Sequence, residues 1–227
     1  SPAIESVGKL KGLDADGPAG ITARVSAQSD STRGLGYPSE IVIAASWNTE
    51  MAKLAAEGLG AEARDLGVDG WYAPSMNMHR SAFAGRNFEY YSEDPVLSAA
   101  MAAAECEGIY EYNLYPFIKH FALNDQEINR NGMLCTWTTE QAMREIYLKP
   151  FERCIKESGS NPITVMSSYN YIGTTWAGAN PELLNTVLRD EWGFRGMVLT
   201  DYFGNYGYMD ADKAVRGGSD IMLATAG

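Results

Sequence analysis

The sequence is poor in the residues that build metal and disulfide sites. It has two histidines and three cysteines in 227 residues, and Cys106, Cys135 and Cys154 are far apart and form no Cys-x-x-Cys pair. Neither a disulfide frame nor a zinc site is expected from such a set. The thiols read as reduced and packed in a core or on a helix face, and no metal or other cofactor is expected. Basic residues are also scarce. With 18 Lys and Arg against 29 Asp and Glu the formal net charge is −11, and an acidic surface argues against nucleic acid and anionic membranes as partners. No apolar run approaches the roughly 20 residues needed to cross a bilayer, and no export signal is recognisable. A soluble protein acting on a neutral ligand is expected, cytoplasmic or secreted, with its oligomeric state (monomer or homo-oligomer) left open.

What is present suits a single globular domain over residues 1–227. Hydrophobic residues make up 45% and charged residues 21%, enough for one core of ordinary size. Short apolar runs predict strands at 41–43, 70–73, 116–121, 163–166, 197–199 and 220–223, with a seventh at 11–13. Helices are predicted between them. One starts at Asn48 or Thr49, turns Met51, Leu54, Ala55 and Leu59 inward and stops at Gly67. A second covers 96–107. A third covers 139–157, begun by a capping box of Thr138 and Gln141 and kinked at Pro150. A fourth is opened by Asn180 and Pro181, and a short one lies near 209–216. Residues 22–39 read as surface loop, and 74–95 and 124–137 as long polar loops. Such alternation predicts a parallel sheet with helical crossovers. Polar residues follow many strands rather than one switch point, which favours a TIM-barrel-like (β/α)8 domain over a doubly wound sheet. Six or seven strands fall short of the eight that close a barrel in roughly 250 residues, so the barrel is expected to be incomplete at one or both ends.

In a parallel sheet the strand C-termini share one face. Asp16, Arg86, Lys119, His120, Met166, Tyr169 and Asp201 are then expected to gather there from separate stretches. Asp201 follows the apolar run Met197–Leu199, which stops at Thr200, a position where a barrel carries its reactive groups; a helix N-cap or plain loop position is the alternative. Carboxylates accept from and cations donate to neighbouring hydroxyls, so the set suits a polyhydroxylated ligand. Trp47, Trp176 and Tyr202 are candidate platforms for a pyranose ring, with simple packing as the alternative.

Five stretches taken in order resemble the motifs of family 3 glycoside hydrolases. They are Asp16-Gly-Pro-Ala-Gly, Gly85-Arg-Asn-Phe-Glu-Tyr-Tyr-Ser-Glu-Asp-Pro95, Lys119-His-Phe-Ala-Leu-Asn-Asp125, Val165-Met-Ser-Ser-Tyr-Asn170 and Leu199-Thr-Asp-Tyr202. The resemblance runs from about residue 12 to 223 and implies the family's (β/α)8 domain. It implies Asp201 as the catalytic nucleophile of a retaining, exo-acting β-glycosidase that forms a covalent glycosyl–enzyme intermediate. It further implies Asp16, Arg86, Lys119 and His120 as hydrogen-bonding residues of the innermost sugar subsite, with Met166 and Tyr169 lining it. Nearby Lys119, His120 or Arg86 are expected to hold Asp201 ionised by lowering its pKa.

Two features depart from the family pattern. Many members have Trp after the nucleophile where this chain has Tyr202, which then contributes to the aglycone side. Retention also needs a second carboxyl group as general acid, and the loop after His120 lacks the His-Asp pair of the N-acetylglucosaminidase-like branch. Asp125 and Glu127 read as braces of that loop and of Arg130. The resemblance therefore implies the β-glucosidase-like branch, whose acid comes from a separate α/β sandwich domain outside this chain. A β-xylosidase of the same family and a carbohydrate-binding domain without turnover are the alternatives. A metal- or phosphate-dependent barrel lacks both ligand spacing and a glycine-rich phosphate loop.

Overall fold

The computed structural model describes residues 2–22, 34–203 and 206–223. The predicted surface loop at 22–39 falls largely on residues outside that set. Strands β1 (Asp14–Asp16), β2 (Gly70–Tyr72) and β3 (Tyr115–Phe121) are followed by a two-residue strand β4 (Cys135–Thr136) and then β5 (Thr164–Ser167). Two more short strands, β6 (Tyr171–Ile172) and β7 (Thr175–Trp176), precede β8 (Val198–Thr200). Five of them form one sheet in the order β1-β2-β3-β5-β8, every neighbouring pair parallel. Spatial order follows chain order without reversal. That is the winding of a barrel, since a doubly wound sheet must reverse direction at a switch point. The curled sheet is an arc of a TIM-barrel-like domain, and β4, β6 and β7 form a small separate sheet.

Helices cover the outer face. Helix α1 (Glu40–Ala44) leads into α2 (Thr49–Asp65), whose first amides are capped by the Asn48 side chain; α3 (Pro95–Tyr110) is capped in the same way by Asp94. Then come α4 (Glu140–Ala142), a π-helical turn over Met143–Tyr147, and α5 (Lys149–Glu157). A longer π-helical segment spans Glu182–Glu191, and α6 (Ala211–Gly217) is the last helix. The main core, which includes Phe121, Phe151, Ile118, Leu184 and Val198, lies between sheet and helices. A smaller cluster of Phe117, Met166 and Leu199 fills the inner side of the arc. No helix among the described residues is long and apolar enough to cross a membrane.

Several local expectations change. The predicted strand at 41–43 is helix α1, in which Ile43 is buried while Ile41 and Val42 are exposed. In α2 the inward face is Ala52, Ala56, Leu59, Gly60 and Ala63, whereas Met51 and Leu54 face outward. The cause is close approach to α3. A Cβ on Gly108 would lie 2.5 Å from the Lys53 carbonyl oxygen and 2.9 Å from Ala56 Cβ, so only small residues fit the contact. The helix expected at 139–157 is interrupted next to Pro150, as a proline there implies, but as a division into separate segments and not as a bend in one helix. Pro150 sits in the first turn of α5, where its missing N–H costs no hydrogen bond, and the break lies just before it at Leu148. Thr139, not Thr138, caps α4. The strand expected at 11–13 lies at Asp14–Asp16, and the one at 220–223 is reduced to a parallel bridge between Leu199 and Ile221.

Candidate active site

Every predicted polar residue comes from the C-terminal side of a parallel strand. Asp16 ends β1, Lys119 and His120 lie near the C-terminal end of β3, Tyr169 follows β5, and Asp201 follows β8. Arg86 comes from the long segment between β2 and α3. Gly85 allows its loop to reach the site. Its φ is +102°, and a Cβ there would lie 2.9 Å from Glu127 Cβ and Cγ.

A chain of alternating charge joins these groups. Lys119 Nζ donates to Asp16 Oδ1 at 2.7 Å and lies 3.3 Å from Glu89 Oε1. Arg86 grips the same carboxylate with two bonds of 2.6 Å, Nε to Oε2 and Nη2 to Oε1. Its Nη1 is 3.7 Å from Glu127 Oε1, and Arg130 Nε is 3.0 Å from Glu127 Oε2. Arg130 Nη1 then reaches to 3.7 Å from Asp201 Oδ2, with its guanidinium 4.6 Å over the Tyr169 ring. Glu127 braces Arg130 as expected from the sequence, whereas Glu89 and the reach of Arg130 to Asp201 lie outside the predicted site. The signal for them is the pairing of opposite charges three positions apart, Arg86 with Glu89 and Glu127 with Arg130, inside two polar loops.

Asp201 is held asymmetrically. Its Oδ1 accepts from the Tyr202 backbone N–H at 2.7 Å, while Oδ2 is buried without a hydrogen-bond partner, 3.8 Å from His120 Nε2. Burial pushes its pKa above the ordinary carboxylate value, against Arg130, the Tyr202 N–H, Lys119 and Arg86. The expected net lowering therefore does not hold: desolvation outweighs the cations, the largest opposing charge is Arg130, and His120 adds none. Burial, followed by Arg86, Lys119 and Arg130, drives the histidine pKa well below its usual value, so the ring is neutral. His120 Nδ1 lies 3.3 Å from Asn77 Oδ1, an oxygen whose identity is set by the His120 N–H donating to it and by Asn77 Nδ2 donating to the His120 carbonyl. A proton on Nδ1 satisfies that pair and leaves Nε2 as an acceptor toward the site. Burial also raises Glu89, but Lys119 and Arg86 pull it down to about 2.

The remaining predicted residues are less directly engaged. Tyr169 donates its hydroxyl to the Tyr202 carbonyl at 2.9 Å. Tyr202 is half-exposed, and its ring lies outside the charged chain. Met166 packs inside the arc against Phe117 and Leu199, beneath the polar layer. Trp176 is no free sugar platform, because it is buried, donates to the Ser168 carbonyl at 3.0 Å and packs on Phe203 and Tyr208. Trp47 is exposed at the α1–α2 turn. Among the described residues no group of three or more His, Cys, Asp or Glu is arranged to hold a metal ion.

A singly wound parallel sheet with its charged side chains collected at the strand C-termini places the chain among TIM-barrel-like domains. The comparisons make the assignment particular. The family model described as the glycosyl hydrolase family 3 N terminal domain matches residues 16–226, and the chain belongs to that family. It is 42% identical over 221 residues to a β-glucosidase from Rhizobium radiobacter, covering 97% of this chain and 26% of the relative. It is 37% identical over 220 residues to β-glucosidase A from Butyrivibrio fibrisolvens, covering 97% of this chain and 25% of the relative. Among solved structures, β-glucosidase 3B from Thermotoga neapolitana in complex with glucose matches with a TM-score of 0.89 and 39% identity, over 98% of this chain and 31% of that one. The chain thus spans about a quarter to a third of the length of these relatives.

Proposed function

We propose that this domain carries the nucleophile and the sugar-binding face of a retaining, exo-acting β-glucosidase. The observation that carries the reading is the Asp201 carboxylate, with Oδ1 anchored by a backbone N–H and Oδ2 unbonded between His120 and Arg130. In this reading Oδ2 attacks the anomeric carbon of a terminal β-glucosyl unit, the bond to the leaving oxygen breaks, and a glycosyl ester forms on Asp201. Water then cleaves that ester. Asp16, Lys119 and Arg86 bind the sugar hydroxyls, Asp16 as an acceptor and the cations as donors. His120 Nε2 accepts from another hydroxyl, Tyr169 holds the wall beneath Arg130, and Met166 forms the floor. Burial makes the carboxylate a poorly solvated nucleophile, and Arg130 with the Tyr202 N–H keeps its ionised form within reach.

The general acid is proposed to come from another domain of a longer polypeptide. In support, Glu127, the carboxylate joined to Asp201 through Arg130, is occupied by Arg130, Arg86 and Asn124 Nδ2. Asp125 accepts from the Met78 N–H, turned into the loop. The β-glucosidase names of the relatives and their three- to fourfold greater length accord with this. In the complete polypeptide, Asp201→Asn is expected to lower hydrolysis of an aryl β-glucoside at least about 1000-fold, the order of loss that follows removal of an enzyme's nucleophile, while the fold is kept. Turnover near that of the parent would refute the reading.

A further inference from the structure

We propose that Glu40 is a positioning residue for the sugar-binding cations and acts on them through Ser75 and Glu89. The proposal rests on reading the Lys119–Glu89–Arg86 cluster as the sugar-binding face.

Glu40 opens α1 and is fully buried. Its Oε1 accepts from the Ser75 backbone N–H at 2.9 Å. Ser75, also fully buried, donates its hydroxyl to Glu89 Oε1 at 2.9 Å. That oxygen is the one shared by Lys119 and Arg86, at 3.3 and 2.6 Å. One serine therefore stands between a buried carboxyl behind the site and the carboxylate that fixes both cations.

The backbone makes a second link. Residues 74–76 lie beside β3, with the Lys119 N–H donating to the Pro74 carbonyl and the Met76 N–H donating to the Lys119 carbonyl. The intervening Ser75 N–H takes no part in those two bonds and is satisfied by Glu40. An apolar side chain at position 40 would orphan that N–H, and the cost of an unpaired buried donor would push the segment to shift. Any shift of Ser75 moves Lys119 twice over, through Glu89 and through the paired backbone.

The charged and titratable groups that face Glu40 are Glu105 and Cys106 from α3, Glu89 from the 74–94 segment and Lys119 from β3, with the Tyr91 hydroxyl close by. Burial first, and Glu105 next, favour its neutral form. Its Oε2 has no hydrogen-bond partner. Its role is that of a neutral acceptor, which glutamine reproduces and alanine does not.

The test compares Glu40→Ala, Glu40→Gln and Ser75→Ala in the complete polypeptide, reading glucose affinity by calorimetry and KM and kcat on an aryl β-glucoside. Glu40→Ala is expected to weaken glucose binding and raise KM by roughly five- to tenfold, with kcat changed less than about twofold, the size of one hydrogen bond between neutral groups. Ser75→Ala keeps the N–H held by Glu40 but cuts the link to Glu89, and is expected to move KM in the same direction. Glu40→Gln restores the affinity lost in the alanine variant. A Glu40→Ala protein that melts earlier but binds glucose within twofold of the parent would overturn the proposal, leaving Glu40 a purely structural group. Should Glu40→Ala fail to fold, a Ser75→Ala protein with parental KM overturns it equally. A failure of the underlying glucosidase reading is seen separately, as absence of glucose binding and hydrolysis before any substitution is made.

Discussion

Replacing Glu89 by glutamine removes the negative charge that Lys119 and Arg86 share, and the size of the loss follows from the geometry. The side chains of Glu89 and Lys119 are 9% and 3% exposed, so water does little to screen them. The carboxyl lies at about 2 rather than 4.5, a difference worth about 3 kcal/mol at about 1.4 kcal/mol per pH unit. Breaking a buried ion pair from one side costs about 3–5 kcal/mol. Because Lys119 keeps Asp16 and Arg86 keeps Glu127, the lower end applies. The sign with pH is definite. A depressed carboxyl pKa stabilises the fold above its unfolded value and loses that contribution as pH falls through the folded one. The gap between parent and Glu89→Gln, measured by urea unfolding, is thus expected to be about 3 kcal/mol at pH 7, to narrow below about pH 4.5 and to close near pH 2. A gap under about 1 kcal/mol at pH 7, or one that stays constant down to pH 3, would refute this account of the cluster.

Two further substitutions probe other groups. Glu105 is buried beside Glu40, and burial, slightly opposed by Tyr91, raises its pKa to about 8. A raised carboxyl pKa stabilises the fold below the unfolded value and loses that contribution as pH rises through about 8, so Glu105→Gln should gain on the parent in melting temperature between pH 5 and 8. Arg130 is the strongest charge opposing the upward shift of Asp201. In the complete polypeptide Arg130→Ala is expected to move the acidic limb of kcat/KM to higher pH, and an unmoved limb would count against Arg130 as a partner of the proposed nucleophile.

Much of the sheet was legible because its strands are buried on both sides. Phe117, Ile118, Val165 and Val198 stand in continuous apolar runs, and such runs read as parallel strands whatever packs on them. The convergence of Asp16, Lys119, His120 and Asp201 followed from that reading, since each lies at or just past a strand's C-terminal end. Residues 41–43 misled because three β-branched residues in a five-residue helix are too few to display a helical period. The α2 stripe misled because hydrophobicity is a poor guide to burial there: the close contact with α3, where Gly108 meets Lys53 and Ala56, selects for small residues. Glu89 and Arg130 were hidden for a different reason. Their importance lies in pairing across loops, from Glu89 to Lys119 and from Arg130 to Asp201, and no local pattern encodes a partner 30 or 71 positions away.

The claim on which the rest depends is that Asp201 Oδ2 forms the covalent bond to the sugar. The most direct measurement is mass spectrometry of the complete polypeptide after incubation with a 2-deoxy-2-fluoro-β-glucoside bearing an activated leaving group, which slows the second step more than the first. A single fluoroglucosyl adduct on the peptide containing Asp201, absent in Asp201→Asn, is the predicted result. An adduct on a different carboxylate, with Asp201 unmodified, would contradict it.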